Sequence, residues 1–131
     1  MHRLLQPEGW AKPAGYANGV AARGETIFLA GQIGWNKDSR FESDDLVEQV
    51  AQALRNIVEV LASAGATPAH VTSLTWYFLD KREYVARLSE IGVVYRDIIG
   101  KHFPAMTAVQ VSSLIEDRAK VEIQAIAVVG D

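Results

Sequence analysis

The chain has 131 residues, 49% of them apolar and 22% charged, with a formal net charge of −3 and no cysteine. This is the size of one domain, 1–131, and a chain of that length buries roughly 68% of its unfolded surface. Without cysteine, disulfides, thiolate nucleophiles and zinc–cysteine sites are excluded. The acidic balance disfavours sequence-independent nucleic-acid binding. No apolar run approaches the ~20 residues of a membrane span or forms a signal-peptide core, so a cytoplasmic protein without a membrane partner is expected.

Residues 1–18 read as a loop because Pro7, Gly9, Pro13 and Gly15 punctuate them. Trp10 and Tyr16 imply that the loop lies on something. Gly24-Glu25 is a pair suited to a hairpin turn between residues 20–23 and 26–30. Gly31 and Gly34, next to Trp35, point to a close backbone approach, with a bulge or strand end as the plainer reading.

The first helix is marked by Asp45 as cap and Glu48 as its reciprocal partner. Leu46, Val50, Leu54, Ile57, Val58 and Leu61 follow at helical spacing, and Gly65 is placed to stop it. Thr67-Pro68 predicts one further turn. Ser73 to Leu79 alternates as a strand whose two faces are both apolar or aromatic, so both should be covered. A second helix is predicted from Asp80 to Gly100, with Tyr84, Leu88, Ile91 and Tyr95 on one side.

Two strands close the chain, over residues 107–111 and 120–129. In the last, Val121, Ile123, Ala125, Ala127 and Val129 share one face. Lys120, Glu122, Gln124, Ile126 and Val128 share the other. The order β-β-α-β-α-β-β gives an α+β fold of about five strands with two main helices. Those helices can cover one face of the sheet. The second face would present an apolar and aromatic patch larger than soluble monomers usually tolerate, so a second copy of the chain is expected to cover it, in a closed ring.

The candidate chemistry is sparse. Histidines 2, 70 and 102 have neither metal-ligand spacing nor an acidic cluster, so no metal is expected, and no cofactor motif appears. Glu122 is the informative group, because a carboxylate inside a Val/Ile/Ala strand must be solvated, paired or functional. Pairing with Lys120 or a neighbouring strand is the plain reading. A general acid/base at the wall of a cleft between subunits is the sharper one.

Four stretches together resemble the Rid (reactive intermediate deaminase) or YjgF-like family: residues 15–20 (GYANGV), 29–33 (LAGQI), Phe103-Pro104-Ala105 before a strand, and 120–127 (KVEIQAIA). The resemblance covers nearly the whole chain. It implies a chorismate-mutase-like α+β fold, with a five-stranded mostly antiparallel sheet carrying two main helices on one face. It also implies a homotrimer with small-molecule sites between subunits. Active relatives hydrolyse enamines and imines such as 2-aminoacrylate, holding the substrate carboxylate with an Arg directly after the Phe-Pro-Ala segment.

Here that position is Met106, which offers no charge and almost no hydrogen bond. Losing a bidentate carboxylate clamp costs on the order of 2–5 kcal/mol of binding. The other matching positions are Tyr16 as loop aromatic, Gly31 as pocket-bordering glycine, Thr107 and Ala108 after Met106, and Glu122 as the water-positioning glutamate. Gly92 falls where an Asn is frequent. The resemblance thus implies an enzyme whose substrate differs from 2-aminoacrylate, with Met106 and Trp35 lining a more apolar pocket. The alternative is a non-catalytic ligand-binding or regulatory homotrimer. A ribonuclease, the third possibility, is disfavoured by the charge balance and the missing His pair.

Overall fold

The computed structural model describes residues 2–130. A sheet runs in the order β3 (Glu25–Phe28), β7 (Val121–Val129), β5 (Val71–Phe78), β6 (Ala105–Gln110), and β4 (Gln32–Ile33) also pairs with β7. Every pairing in it is antiparallel except β5–β6. β1 (Arg3–Leu5) and β2 (Gly19–Ala21) form a separate antiparallel pair. α1 (Leu46–Ser63) and α3 (Leu88–Ile98) pack on one face of the large sheet, with α2 (Lys81–Ala86) leading into α3. Among the described residues, no helix is long and apolar enough to cross a membrane.

α1 starts and stops where local chemistry dictates. The Asp45 carboxylate accepts the Glu48 N–H at 3.1 Å. Glu48 does not return the bond directly. The Ser43 hydroxyl stands between, accepting the Asp45 N–H at 3.0 Å and donating to the Glu48 carboxylate. At the other end Gly65 adopts a φ of +72°, a left-handed turn that costs glycine little. Val50, Leu54, Ile57 and Leu61 are fully buried, each burial favouring the fold by roughly 1.5–3 kcal/mol. Gln49, only 1% exposed, ties the helix to the chain around it. Its amide donates to the carbonyls of Ser43 and Arg118, and its oxygen accepts the Lys120 N–H.

Two expectations are corrected and a third is met. The hairpin at Gly24-Glu25 does not form: β2 pairs with β1, within the stretch read as loop, and β3 pairs with β7. The reason is steric. A Cβ on Gly24 would sit 1.9 Å from the Val129 carbonyl oxygen, so this glycine lets the chain cross the end of β7. The second helix is broken at Arg87 (φ −111°, ψ 18°), whose guanidinium pairs with Asp45, the cap of α1, and with Glu90. The turn after Thr67 is present as a 3-10 turn over Pro68–His70, with the His70 ring accepting the Thr67 N–H at 2.9 Å.

The two faces of the sheet differ. Leu74, Trp76, Phe78, Val121, Ile123, Ala125 and Ala127 are buried under the helices. By strand alternation Tyr77, Glu122, Gln124 and Ile126 lie on the far side, with Phe28 beside Ile126 and 76% exposed. β6 forms one edge of the sheet. It carries no charged residue, and its residues 107–110 are exposed.

Candidate functional site

The parallel pairing of β6 with β5 decides where its side chains go. Met106 is in register with Leu74 and Ala108 with Trp76, both core residues, so Met106 and Ala108 share the helix-covered side. Here α3 and the sheet do not close completely. They leave a cavity of about 470 Å³, within the range of roughly 300–1,000 Å³ that suits small-molecule sites. Met106 and Ala108 form its strand wall, Tyr16 closes it from the N-terminal loop, and Tyr84, Tyr95 and Gly92 border it from the helices.

The walls are aromatic. Tyr95 stacks on Phe103 with ring centroids 5.6 Å apart and lies 6.2 Å from Trp76. Tyr84 packs on Phe78 at 4.0 Å. The Tyr95 hydroxyl donates to the His102 carbonyl at 2.6 Å. Burial raises the pKa of both Tyr84 and Tyr95, keeping these phenols neutral. The Trp76 indole N–H is buried without a hydrogen-bond partner among the described residues. Among the lining residues Arg96 alone carries a charge.

Glu122 lies elsewhere. It is half-buried on the open face, beside Tyr77 on β5 and Ile33 on β4. Gly31 sits against its carboxylate: a Cβ built there would lie 2.1 Å from Oε2. The close approach expected at Gly31 is therefore to Glu122. The one expected at Gly34 is to α1, where a Cβ would fall 2.6 Å from that of Gln49. Glu122 has no ion-pair partner among the described residues, so the plain reading of a Lys120 pair is not what the protomer shows.

The remaining candidates divide. Thr107 alternates away from Met106, pairs with Thr75, and lines a hollow of about 280 Å³ that Tyr16 and Met106 also border. Trp35 is not beside Met106. It packs on Phe41 at 5.9 Å, and its carbonyl accepts from Asn56 on α1. Arg118, in the loop before β7, holds Asp44 at 2.9 Å and covers the Phe41 ring. His102 links Val71 to the start of β6 through a 2.8 Å bond to the Val71 carbonyl. The protomer thus brings together Tyr16, Met106 and Ala108 at one place and Gly31 and Glu122 at another. Tyr84, Leu88, Ile91 and Tyr95 were legible only as the apolar stripe of a helix, although they also border the cavity.

Comparison with known proteins agrees with this architecture. The family model described as endoribonuclease L-PSP matches residues 10–129. A RutC family protein of Pyrococcus horikoshii is 34% identical over 97% of this chain and 98% of its own. The human 2-iminobutanoate/2-iminopropanoate deaminase is 31% identical over 80% of this chain and 74% of its own. A Rid-family protein of unknown function from Yersinia pestis superposes with a TM-score of 0.86 at 31% identity, covering 98% of both chains.

Proposed function

The chain belongs to the Rid/YjgF family, the one described by the endoribonuclease L-PSP model, and from that premise we propose that it is an imine or enamine hydrolase whose site is completed between the subunits of a homotrimer. One observation carries this reading: a half-buried, unpaired carboxylate, Glu122, is held beside a glycine backbone on a face that the protomer leaves open. Such a group is placed to take a proton in a site that a neighbouring subunit dries. The proposal requires that in the trimer Glu122 and Gly31 of one subunit face the mouth of the Met106 cavity of the next.

The chemistry balances with water alone. The oxygen of a water adds to the imine carbon while Glu122 accepts the water proton. Glu122 then returns that proton to nitrogen. Glu122 next takes the proton of the new hydroxyl and passes it to nitrogen as the C–N bond breaks and the carbonyl forms, so ammonia leaves with both water protons and the carboxylate is restored. An enamine first shifts a proton to carbon to become the imine. Met106 carries no charge where the resemblance implies a carboxylate-holding Arg, so the proposed substrate differs from 2-aminoacrylate.

The test is ammonia release from a panel that includes 2-aminoacrylate and uncharged imines. Glu122→Ala should lower release by about 10²–10⁴-fold, with a trimer still seen by light scattering. Met106→Arg should gain 2-aminoacrylate hydrolysis. A wild-type monomer, or turnover indifferent to Glu122→Ala, would sink the proposal. Met106, uncharged where the resemblance implies an Arg, also favours a second reading, a non-catalytic ligand-binding trimer. In that case Glu122→Ala would alter ligand affinity and no turnover would exist to lose.

A further inference from the structure

The cavity beside Met106 still has a cation, supplied from the opposite wall. Arg96 lies one helical turn after Gly92 on α3, and both border the same space as Met106. Its Nη1 is 3.4 Å from the place a Cβ on Gly92 would occupy. Helical side chains lean toward the N-terminus, so the residue at i+4 covers the turn before it. Glycine inside a helix costs about 1 kcal/mol relative to alanine. Here its bare backbone leaves room for the guanidinium to lie back along α3 toward the cavity. Arg96 has no ion pair among the described residues, in contrast to Arg87 and Arg118, which are both engaged.

We propose that Arg96 is the carboxylate anchor of this cavity, and that its ligand is a monocarboxylate with an aromatic body, an aromatic 2-imino or 2-oxo acid. The proposal rests on reading the cavity as the substrate-holding half of the site. A planar guanidinium donates two parallel hydrogen bonds to a carboxylate. No acidic residue among the lining competes for it. The body of the ligand is specified by the walls. A three-carbon imino acid leaves most of about 470 Å³ empty, whereas a ring seated between Tyr16, Trp76 and Tyr95 gains offset-stacked or edge-to-face contacts. The thioether of Met106 and the methyl of Ala108 complete an apolar strand wall.

Phenylpyruvate is the probe, compared with 2-oxobutanoate, which lacks the ring, and phenylacetone, which lacks the carboxylate. Calorimetry on the wild-type assembly should rank phenylpyruvate first. Arg96→Gln should weaken phenylpyruvate by about 10- to 100-fold, the value of a lost charge-assisted pair, and leave phenylacetone unchanged. Arg96→Lys should recover part of the loss. The indole N–H resonance of Trp76 should move on binding. Phenylpyruvate binding unaffected by Arg96→Gln, or 2-oxobutanoate bound as tightly, would overturn the proposal. Its failure is distinct from failure of the hydrolase reading. Arg96-dependent binding with no ammonia released from the matching imine removes only the hydrolase. Hydrolysis of small imines that ignores Arg96→Gln removes only the anchor.

Discussion

The two faces of the sheet are built from the same strands and differ by one residue of register. On the helix side β7 contributes Val121, Ile123, Ala125 and Ala127, all fully buried by α1, α3 and their neighbours. On the far side the intervening positions supply Glu122, Gln124 and Ile126, with Tyr77 and Phe28 beside them. The first face is completed by its own chain. The second pairs a carboxylate with aliphatic and aromatic surface, a combination that water does not favour and that no helix among the described residues covers. Stability should therefore belong to one face, and assembly to the other.

The sharpest way to break that division is to cut into the helix side. Leu54→Ala should cost about 2–5 kcal/mol of protomer stability, read as a lower denaturant midpoint at constant slope, with subunit stoichiometry unchanged. Gln49→Leu should come next. It strands the Lys120 N–H and the carbonyls of Ser43 and Arg118, at about 1–3 kcal/mol for a buried group left unsatisfied. On the open face Phe28→Asp should do the reverse: protomer stability within about 0.5 kcal/mol of wild type, and dissociation of the proposed trimer in sedimentation. An equal loss of stability from Phe28→Asp would erase the distinction.

The smallest effect concerns acid. The hydrogen bond from Arg87 holds the Asp45 carboxyl below the usual carboxylate range. A depressed folded pKa stabilises the fold above the unfolded value and ceases to do so as pH falls through the folded one. Arg87→Gln should flatten that acid limb in a pH series of thermal melts.

Much of this architecture was readable where the cause is local. Asp45 and Gly65 bound α1 because caps act within one turn, and the alternation of β7 named both faces correctly. The misreadings have distant causes. Gly24 reads as a hairpin residue, but its conformation serves the passage over Val129. β1 and β4, of three and two residues, are too short for any periodicity to show. Arg87 is a good helix former, and the break there comes with a partner 42 residues away. The candidate site was legible in its members more than in its layout. Tyr16, Met106 and Ala108 meet, as do Gly31 and Glu122, but no spacing rule places them on opposite sides of a sheet. Trp35 packs on Phe41 within the protomer, a partner that an aromatic beside two glycines has no periodic frame to foretell.

The uncharged margin of the sheet along β6 has its own consequence. Newly made chains expose backbone donors and acceptors there without lysine, proline or a bulge to discourage a stranger, which is how strands recruit one another into fibrils. The Ala17–Ala105 bridge screens one end only. Loss of the proposed quaternary contacts should then reveal itself as thioflavin-positive precipitate on ageing at dilute concentration, and Val109→Lys should suppress it.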